Sequence, residues 1–241
     1  MPDNAVTILT YNIYDQREGP FAFEKRINLL AETIAGVNPD VICLQEVPSD
    51  QFVRALTAFL HRQLGKSPRV AMTLVPRHDG REFRVALFHP GTRRTAKRIA
   101  TPDGRHVAVE VLLGAMPLTV VSTHLESRSD EVRLAQCQAI VDATAGYGAV
   151  VVCGDLNAAP GSPELQLLGE SFSSLAPAAD VSHTHPTGLR PEHREKRKAV
   201  LDHILGRGVT VTASGVVGLE PNDEGLFPSD HAGVWATVTL A

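Results

Sequence analysis

Residues 149–157 read AVVVCGDLN, a continuous apolar run that stops at a glycine, an aspartate and an asparagine. A short apolar run that ends in turn-forming residues is typical of a strand buried on both faces. Other apolar runs in the chain also end in polar residues, in the motifs TYN (10–12), LQEV (44–47), STHLES (122–127), LDHI (201–204) and SDH (229–231). Carboxylates repeated at strand ends have no packing explanation, so a catalytic explanation is worth testing.

Strand and helix patterns alternate around these motifs. Apolar residues three and four apart predict helices from about residue 23 and residue 53, and Ser129 is a good cap for a third helix at 130–144. Leu134, Cys137 and Val141 are expected on the inner face of that third helix. Strands are predicted at 5–11, 41–44, 69–76, 83–89, 107–113, 118–122, 149–153, 199–205, 209–217 and 234–240, with turns at 76–80, 90–91 and 102–104 and a short helix from 162. This order predicts a four-layer α/β sandwich, in which two mostly antiparallel sheets pack face to face with helices outside.

Composition and length fit one domain over residues 1–241. The formal net charge of −4 argues against a broad basic face for nucleic acid, although a local phosphate site remains compatible. The three cysteines lack the spacing of a disulfide framework or a zinc site. No apolar run is long enough to span a membrane, and no signal peptide is visible. We therefore expect a cytoplasmic monomer.

The carboxylates at the strand ends indicate a divalent cation. If they converge, two unit charges about 4 Å apart repel by roughly 4 kcal/mol at an effective dielectric near 20. A cation, a proton or a hydrogen-bonding partner is needed to hold such a cluster together. Oxygen ligands suit Mg²⁺ or Mn²⁺, so we predict Glu46 as the first ligand, with Asn12 and Asp230 in support.

The imidazoles and the remaining acids supply the other parts of a phosphate-cleaving site. Asp202 is predicted to orient His231, which either takes a proton or stabilises developing negative charge as an imidazolium. His124 is a second donor for a phosphate oxygen, and Asn157 with Asp155 can hold the attacking water. Each motif alone also has an ordinary explanation as a turn, a solvated strand end or a loop. Together and in this order they favour catalysis.

The full set of motifs resembles the endonuclease/exonuclease/phosphatase superfamily over nearly the whole chain, from Tyr11-Asn12 to Ser229-Asp230-His231. The resemblance implies the four-layer sandwich inferred above. It also implies that Asn12 and Glu46 lie at the metal and that Asp230 lies close to it. Family members differ on whether the aspartate of Gly-Asp-x-Asn or the final histidine is the base, so that choice stays open.

A narrower resemblance is to the 5′-tyrosyl-DNA phosphodiesterases within that superfamily. It rests on THLES (123–127), on Arg133 and Gln136 in the next helix, and on the run GLFPSDH (225–231). It implies substrate contacts from Glu126 and Arg133. The chain departs from this group at Tyr11, where a tryptophan is usual, and at 158–163, which is closer to the general family.

One further segment contains His183 and His185. Two histidines two residues apart could hold a metal, but a loop at the rim of the active site is favoured, where His185 would contact substrate. The basic run from His193 to Lys198 is a solvated loop or a contact for substrate phosphates.

The sequence therefore predicts a Mg²⁺- or Mn²⁺-dependent phosphodiesterase. Its substrate would be a phosphate ester, with a 5′-tyrosyl-DNA or other nucleic-acid end as one candidate. The alternatives are a phosphatase or phosphodiesterase for a small nucleotide, sugar phosphate or lipid head group, and a non-catalytic phosphate-binding module.

Overall fold

The computed structural model describes residues 5–16, 18–19, 21–76, 82–90, 106–113, 116–177, 181–193 and 195–241. The predicted turns at 77–80, 91 and 102–104, and residue 194 of the basic run, lie outside the described residues.

The described segments contain strands and helices in the predicted order. The strands are β1 (Val6–Asn12), β2 (Val41–Val47), β3 (Arg69–Pro76), β4 (Glu82–His89), β5 (His106–Leu113), β6 (Met116–His124), β7 (Val150–Asp155), β8 (Ser173–Ala176), β9 (Asp202–Arg207), β10 (Val209–Val217) and β11 (Gly233–Leu240). The α-helices are α1 (Phe23–Val37), α2 (Asp50–Leu64), α3 (Asp130–Thr144) and α4 (Pro163–Gly169), and a 3₁₀ turn covers Pro191–His193. None of these helices combines the length and the apolar character needed to cross a bilayer.

The strands form two sheets. The spatial order is β10-β11-β1-β2-β4-β3 in the six-stranded sheet and β5-β6-β7-β9-β8 in the five-stranded sheet. The pairs β1–β2 and β6–β7 are parallel, and the other neighbours are antiparallel. Each parallel pair is joined by a crossover helix, α1 in one sheet and α3 in the other, as parallel strands require. The prediction of mostly antiparallel sheets is confirmed.

Three clusters of buried apolar residues define the layers. The first joins the inner faces of the two sheets, for example through Ile8 and Cys43 on one side and Val120 and Val151 on the other. A second cluster packs α1 and α2 against the six-stranded sheet, and a third packs α3 and α4 against the five-stranded sheet. The molecule is thus the expected sandwich of helices, sheet, sheet and helices.

The predicted inner face of α3 is right for Cys137, Val141 is partly buried against the same cluster, and Leu134 is off that face. The buried face of α3 carries Arg133, Gln136, Cys137, Ile140 and Thr144, while Leu134 is only half-buried. Arg133 and Gln136 occupy that face because both bind the backbone of Glu126 in the loop after β6. The edge strand β8 was not predicted, since its Ser-Ser-Leu-Ala sequence has neither an apolar run nor a clear alternation.

Candidate active site

Strand register brings the predicted site residues to one end of both sheets. In the five-stranded sheet, His124 lies beside Asp155 on β7, and Asp155 lies beside Asp202 on β9. In the six-stranded sheet, Asn12 ends β1 beside Gln45. Because β11 runs antiparallel to β1, the segment 229–231 before β11 returns to the same end. The carboxyl ends of the parallel pairs β1–β2 and β6–β7 therefore lie at the same end of the sandwich, one pair in each sheet.

Asp155 is the central acceptor of the cluster and is almost fully buried. Its Oδ2 lies 3.0 Å from Asn12 Nδ2, 3.5 Å from His124 Nε2 and 3.7 Å from His231 Nε2. Its Oδ1 accepts the backbone N–H of Asn157 at 2.9 Å. One carboxylate thus contacts groups from both sheets, so its position depends on the whole sandwich.

Asn12 faces the carboxylates with its nitrogen. Its Nδ2 donates to Asp155 and, at 3.3 Å, to Glu46 Oε1, while its Oδ1 accepts the N–H of Tyr14 at 3.1 Å. The amide oxygen is therefore already used and turned away from Glu46. In this geometry Asn12 joins the two acids as a hydrogen-bond donor, and its role at the metal stays a prediction.

Glu46 reaches the site through an irregularity in β2. The register between β2 and β4 shifts between Leu44 and Val47, and Glu46 has a left-handed φ of 57°. A bulge of this kind redirects a side chain, and a left-handed non-glycine residue costs roughly 1–2 kcal/mol. Glu46 Oε2 also accepts the backbone N–H of Asp15 at 3.1 Å. Backbone strain at this position is typical of a functional site.

His231 and Asp202 form a buried pair. His231 Nδ1 lies 2.9 Å from Asp202 Oδ2, and the Asp202 backbone N–H donates to Thr184 Oγ1 at 3.1 Å. Burial alone would lower the pKa of His231, but the charges of Asp202 and Asp155 and the bond to Asp202 raise that pKa well above its usual value. The charges of Asp202 and Asp155 therefore favour the protonated ring, and Nε2 is directed to Asp155.

The turn after β7 depends on Gly154 and Asn157. A Cβ on Gly154 would lie 1.9 Å from the carbonyl oxygen of Thr123, so only glycine lets β7 approach β6 this closely. Asn157 has a left-handed φ of 47°, which asparagine tolerates, and its Nδ2 donates to the Leu125 carbonyl at 3.0 Å. The Gly-Asp-x-Asn motif is thus both a turn and a part of the site.

Asp230 lies beside two histidines of the neighbouring loop. Its Oδ2 is 4.0 Å from His185 Nε2 and 3.9 Å from His193 Nδ1. Burial raises the pKa of Asp230 to about 6, and the charges of Glu46 and Asp155 add to that rise against the opposing effect of His231. Burial, with smaller effects of nearby His231 and His193, lowers the pKa of His185 to about 3.

A cleft of about 360 Å³ opens over this cluster. Its lining includes Glu126 and His185, two of the three predicted substrate contacts. Arg133, the third, is not part of that lining. Its guanidinium donates to Glu164 Oε1 at 2.9 Å and to the Glu126 carbonyl at 3.0 Å, so it fixes the loop after β6 from behind.

Sequence reasoning missed several residues near the cleft. Tyr14, Arg128 and Arg190 line it, and Arg190 Nη1 donates to the Tyr14 hydroxyl at 2.7 Å. Arg26, fully buried at the start of α1, donates to the carbonyls of Phe21, Ile13, Tyr14 and Pro228. Arg26 follows Glu24 and Lys25 in the first turn of α1, so a charge at that place does not distinguish it in the sequence.

The sequence pattern described as the endonuclease/exonuclease/phosphatase family matches residues 9–231 of this chain. The chain belongs to this family. The match spans all the site motifs, from the end of β1 to His231. Comparison with curated protein sequences gives no match.

Several solved structures have a similar fold. The family protein from Leptotrichia buccalis has a TM-score of 0.78 at 18% identity, covering 98% of this chain and 100% of that chain. The family protein from Bacteroides vulgatus has a TM-score of 0.76 at 18% identity, covering 98% and 99%. TDP2 from D. rerio, crystallised with a single strand DNA product, has a TM-score of 0.75 at 18% identity, covering 98% and 99%. At these identities the likeness concerns the fold.

The donor set fits a divalent cation of the kind this family generally uses. Glu46, Asp155 and Asp230 share one cleft, and their mutual repulsion contributes to the raised pKa of Asp230. A cation among them would offset that repulsion. Carboxylate oxygens suit Mg²⁺ or Mn²⁺, and Glu46 is the best placed of the three as a ligand because its strained backbone aims it into the cleft.

Proposed function

We propose that this protein is a hydrolase that uses Mg²⁺ or Mn²⁺ to cleave a phosphodiester, and that its substrate is a nucleic-acid end such as a 5′-tyrosyl-DNA end. The observation that carries the proposal is the position of Asp155. Its Oδ2 lies within 3.7 Å of Asn12, His124 and His231 at the base of a cleft that also contains Glu46. That is an arrangement for binding a phosphate and a water together.

Each group has a role in hydrolysis. The water oxygen bonds to phosphorus, the bond to the leaving oxygen breaks, the water loses a proton and the leaving oxygen gains one. Asp155 and Asn157 orient the water opposite the leaving group. His231, kept charged by Asp202, and His124 donate to the non-bridging oxygens, where negative charge accumulates. A bound divalent ion at Glu46 supplies charge neutralisation at the phosphate and the leaving oxygen.

Two observations support a nucleic-acid end as the substrate. The cleft lining includes Arg128, Arg190 and Lys196, which would bind phosphates flanking the scissile one. The D. rerio TDP2 structure of the same fold contains a single strand DNA product. The net charge of −4 supports the second candidate, a small phosphate ester that needs only the local site.

The first experiment tests catalysis. Chelator-treated protein is assayed on bis-nitrophenyl phosphate, with Mg²⁺ or Mn²⁺ restored. We expect metal-dependent release of nitrophenol by the wild type and by the exposed control variant Asp223→Asn, and a loss of at least about 1,000-fold in Asp155→Asn. Equal turnover in Asp155→Asn, or hydrolysis that needs no metal, would contradict the proposal.

The second experiment tests the substrate. A 5′-tyrosyl oligonucleotide, an abasic duplex, plain DNA, RNA and several small phosphate esters are compared at two salt concentrations. We expect the highest kcat/KM on the 5′-tyrosyl end, with a steep fall as salt rises. A highest value on a small ester, with little salt dependence, would establish the second candidate instead.

A further inference from the structure

Three side chains that could bind a metal, His185, His193 and Asp230, lie close together in the lining of the cleft. The two histidines belong to the loop between β8 and β9. His185 is fixed by backbone bonds with Ala199 in both directions, at 3.0 and 2.8 Å. His193 ends the 3₁₀ turn, and Asp230 precedes β11. One ligand atom from each, His185 Nε2, His193 Nδ1 and Asp230 Oδ2, lies within 4.8 Å of the other two. His185 and His193 come from one loop and Asp230 from the segment before β11, so the tertiary fold completes the cluster.

Two buried polar atoms of this cluster lack hydrogen-bond partners among the described residues. They are His193 Nδ1 and Asp230 Oδ1, and each residue is only 5% exposed. Burying a polar atom without a partner is unfavourable. An ion bonded to His193 Nδ1 would remove the cost at that atom, which lies 3.9 Å from the other oxygen of Asp230, Oδ2.

We propose that His185, His193 and Asp230 bind Zn²⁺, at a site that shares only Asp230 with the oxygen-donor site around Glu46. Two imidazoles and one carboxylate, with a further position open, are a common zinc-binding set. The His–Asp atom pairs are 4.0 and 3.9 Å apart. A tetrahedron with bonds of about 2.1 Å has edges of about 3.4 Å, so each pair must close by only about 0.5 Å. All three residues line the cleft, so the open position faces it.

The donor chemistry separates the two sites. Mg²⁺ prefers oxygen ligands and keeps several waters, so it is a poor occupant for two imidazoles. The first site offers Glu46 and neighbouring carboxylates instead. Asp230 is common to both sites, and its Oδ2 lies 4.0 and 3.9 Å from the nearest ring nitrogens of the two histidines. Zinc binding here does not depend on the proposed hydrolase activity.

Lys196 competes with the metal. Its Nζ lies 2.9 Å from His193 Nε2, and because an ammonium can only donate, Nε2 accepts and Nδ1 carries the ring proton. Zinc binding through Nδ1 moves that proton to Nε2 and displaces Lys196, whose side chain is exposed and free to turn outward. Removing the lysine amine in Lys196→Met should therefore tighten zinc binding about tenfold.

The test is calorimetric titration of the full chain with Zn²⁺, in excess Mg²⁺ and after chelator treatment, with Co²⁺ absorption as a second readout. We expect one zinc per chain in the wild type and in His183→Ala. His183 is the matched control because it lies on the same segment, outside the cluster, with Nδ1 bonded to Ser182. His185→Ala and His193→Ala should each weaken binding at least about 100-fold.

Each outcome decides the matter. Absence of zinc binding to the wild type, or equal binding in His193→Ala, overturns the site. Loss of zinc in Glu46→Gln with retention in His193→Ala would place the ion among the carboxylates and also overturns it. His193→Gln, with thermal melts of all variants, guards against loss of binding through misfolding. Hydrolysis that persists without zinc binding would leave the proposed function standing and remove this site alone.

Discussion

The units β1–α1–β2 and β6–α3–β7 occupy equivalent central places in the two sheets, yet they supply different chemistry. Each is a parallel pair with an outer helix, and each carries a buried arginine in the first turn of that helix. The first unit ends in Asn12 and Glu46, and the second in His124 and Asp155. In the proposed mechanism the first unit supplies the metal side of the site, and the second supplies the groups for water and phosphate.

The two arginines show how each unit is held. Arg133 is neutralised by Glu164 and Asp130, so its charge stays within α3 and α4. Arg26 donates to four backbone carbonyls. Burial lowers the pKa of Arg26, and the nearby charge of Asp230 opposes that shift. Arg26 thus belongs to the electrostatics of the site, whereas Arg133 is part of the scaffold that supports it.

The largest expected effect is a difference in how the activity of variants in the two units depends on Mg²⁺. Glu46→Gln should lower kcat/KM by at least about 1,000-fold at low Mg²⁺, because a ligand is lost, and part of that loss should be recovered at high Mg²⁺. His124→Ala should lower kcat about 100-fold at every Mg²⁺ concentration, because only a phosphate donor is lost. Steady-state kinetics over a Mg²⁺ series measures both. The same Mg²⁺ response in the two variants would erase the distinction between the units.

The next effect compares the arginines. Arg133→Met leaves Glu164 buried without its partner and should cost about 3–5 kcal/mol of unfolding free energy, with a smaller change in kcat. The double variant Arg133→Met with Glu164→Leu should recover much of that stability. Arg26→Met should lower both stability and kcat, because the segments carrying Tyr14 and Pro228 lose their common donor. Urea melts and kinetics are the readouts, with the surface variant Arg54→Met as control, and unchanged kcat in Arg26→Met would refute its assigned role.

A smaller effect tests the link between the two sheets beneath the site. Gln45 Nε2 lies 3.1 Å from Thr10 Oγ1 and 3.4 Å from Ser122 Oγ of the opposite sheet. Gln45→Met keeps the volume but leaves buried hydroxyls with fewer partners, so we expect a loss of about 1–2 kcal/mol. Denaturant unfolding measures it. A stability equal to that of the wild type would mean that apolar packing alone joins the sheets.

The smallest effect concerns the helix starts. Ser129 caps α3 by accepting the N–H of Val132 at 3.3 Å, whereas α1 starts after Ala22 with no side-chain cap. Ser129→Ala should cost about 1 kcal/mol, seen as a small fall in the thermal midpoint. A cost near zero would show that Arg133 alone anchors the start of α3.

Local patterns in the sequence were enough for most of the fold. The predicted bounds 69–76, 130–144 and 209–217 match β3, α3 and β10, because turn or capping residues mark their ends. The order of the motifs also predicted that the polar ends of the strands lie close together. Polar residues at strand ends can be placed in one site from the sequence, because the direction of a strand decides at which end of the sheet its last residue lies.

The remainder depends on contacts between distant segments. The nitrogen of Asn12, rather than its oxygen, faces the acids because Tyr14 takes the oxygen. Arg133 turns to Glu164 instead of the cleft, and His185 approaches His193 instead of acting with His183. The spacing of residues in the sequence does not predict these contacts, because each contact depends on a partner in another strand, helix or loop.

An anomalous diffraction map of crystals soaked in Mn²⁺ tests most directly whether the two units bind one catalytic ion between them. If the two units meet around one catalytic ion, the map will show Mn²⁺ bonded to the Glu46 carboxylate, within the cleft that contains Asp155 and His231. Mn²⁺ bound only at the surface, or only at His185 and His193, in a protein whose turnover requires Mn²⁺, would contradict the account.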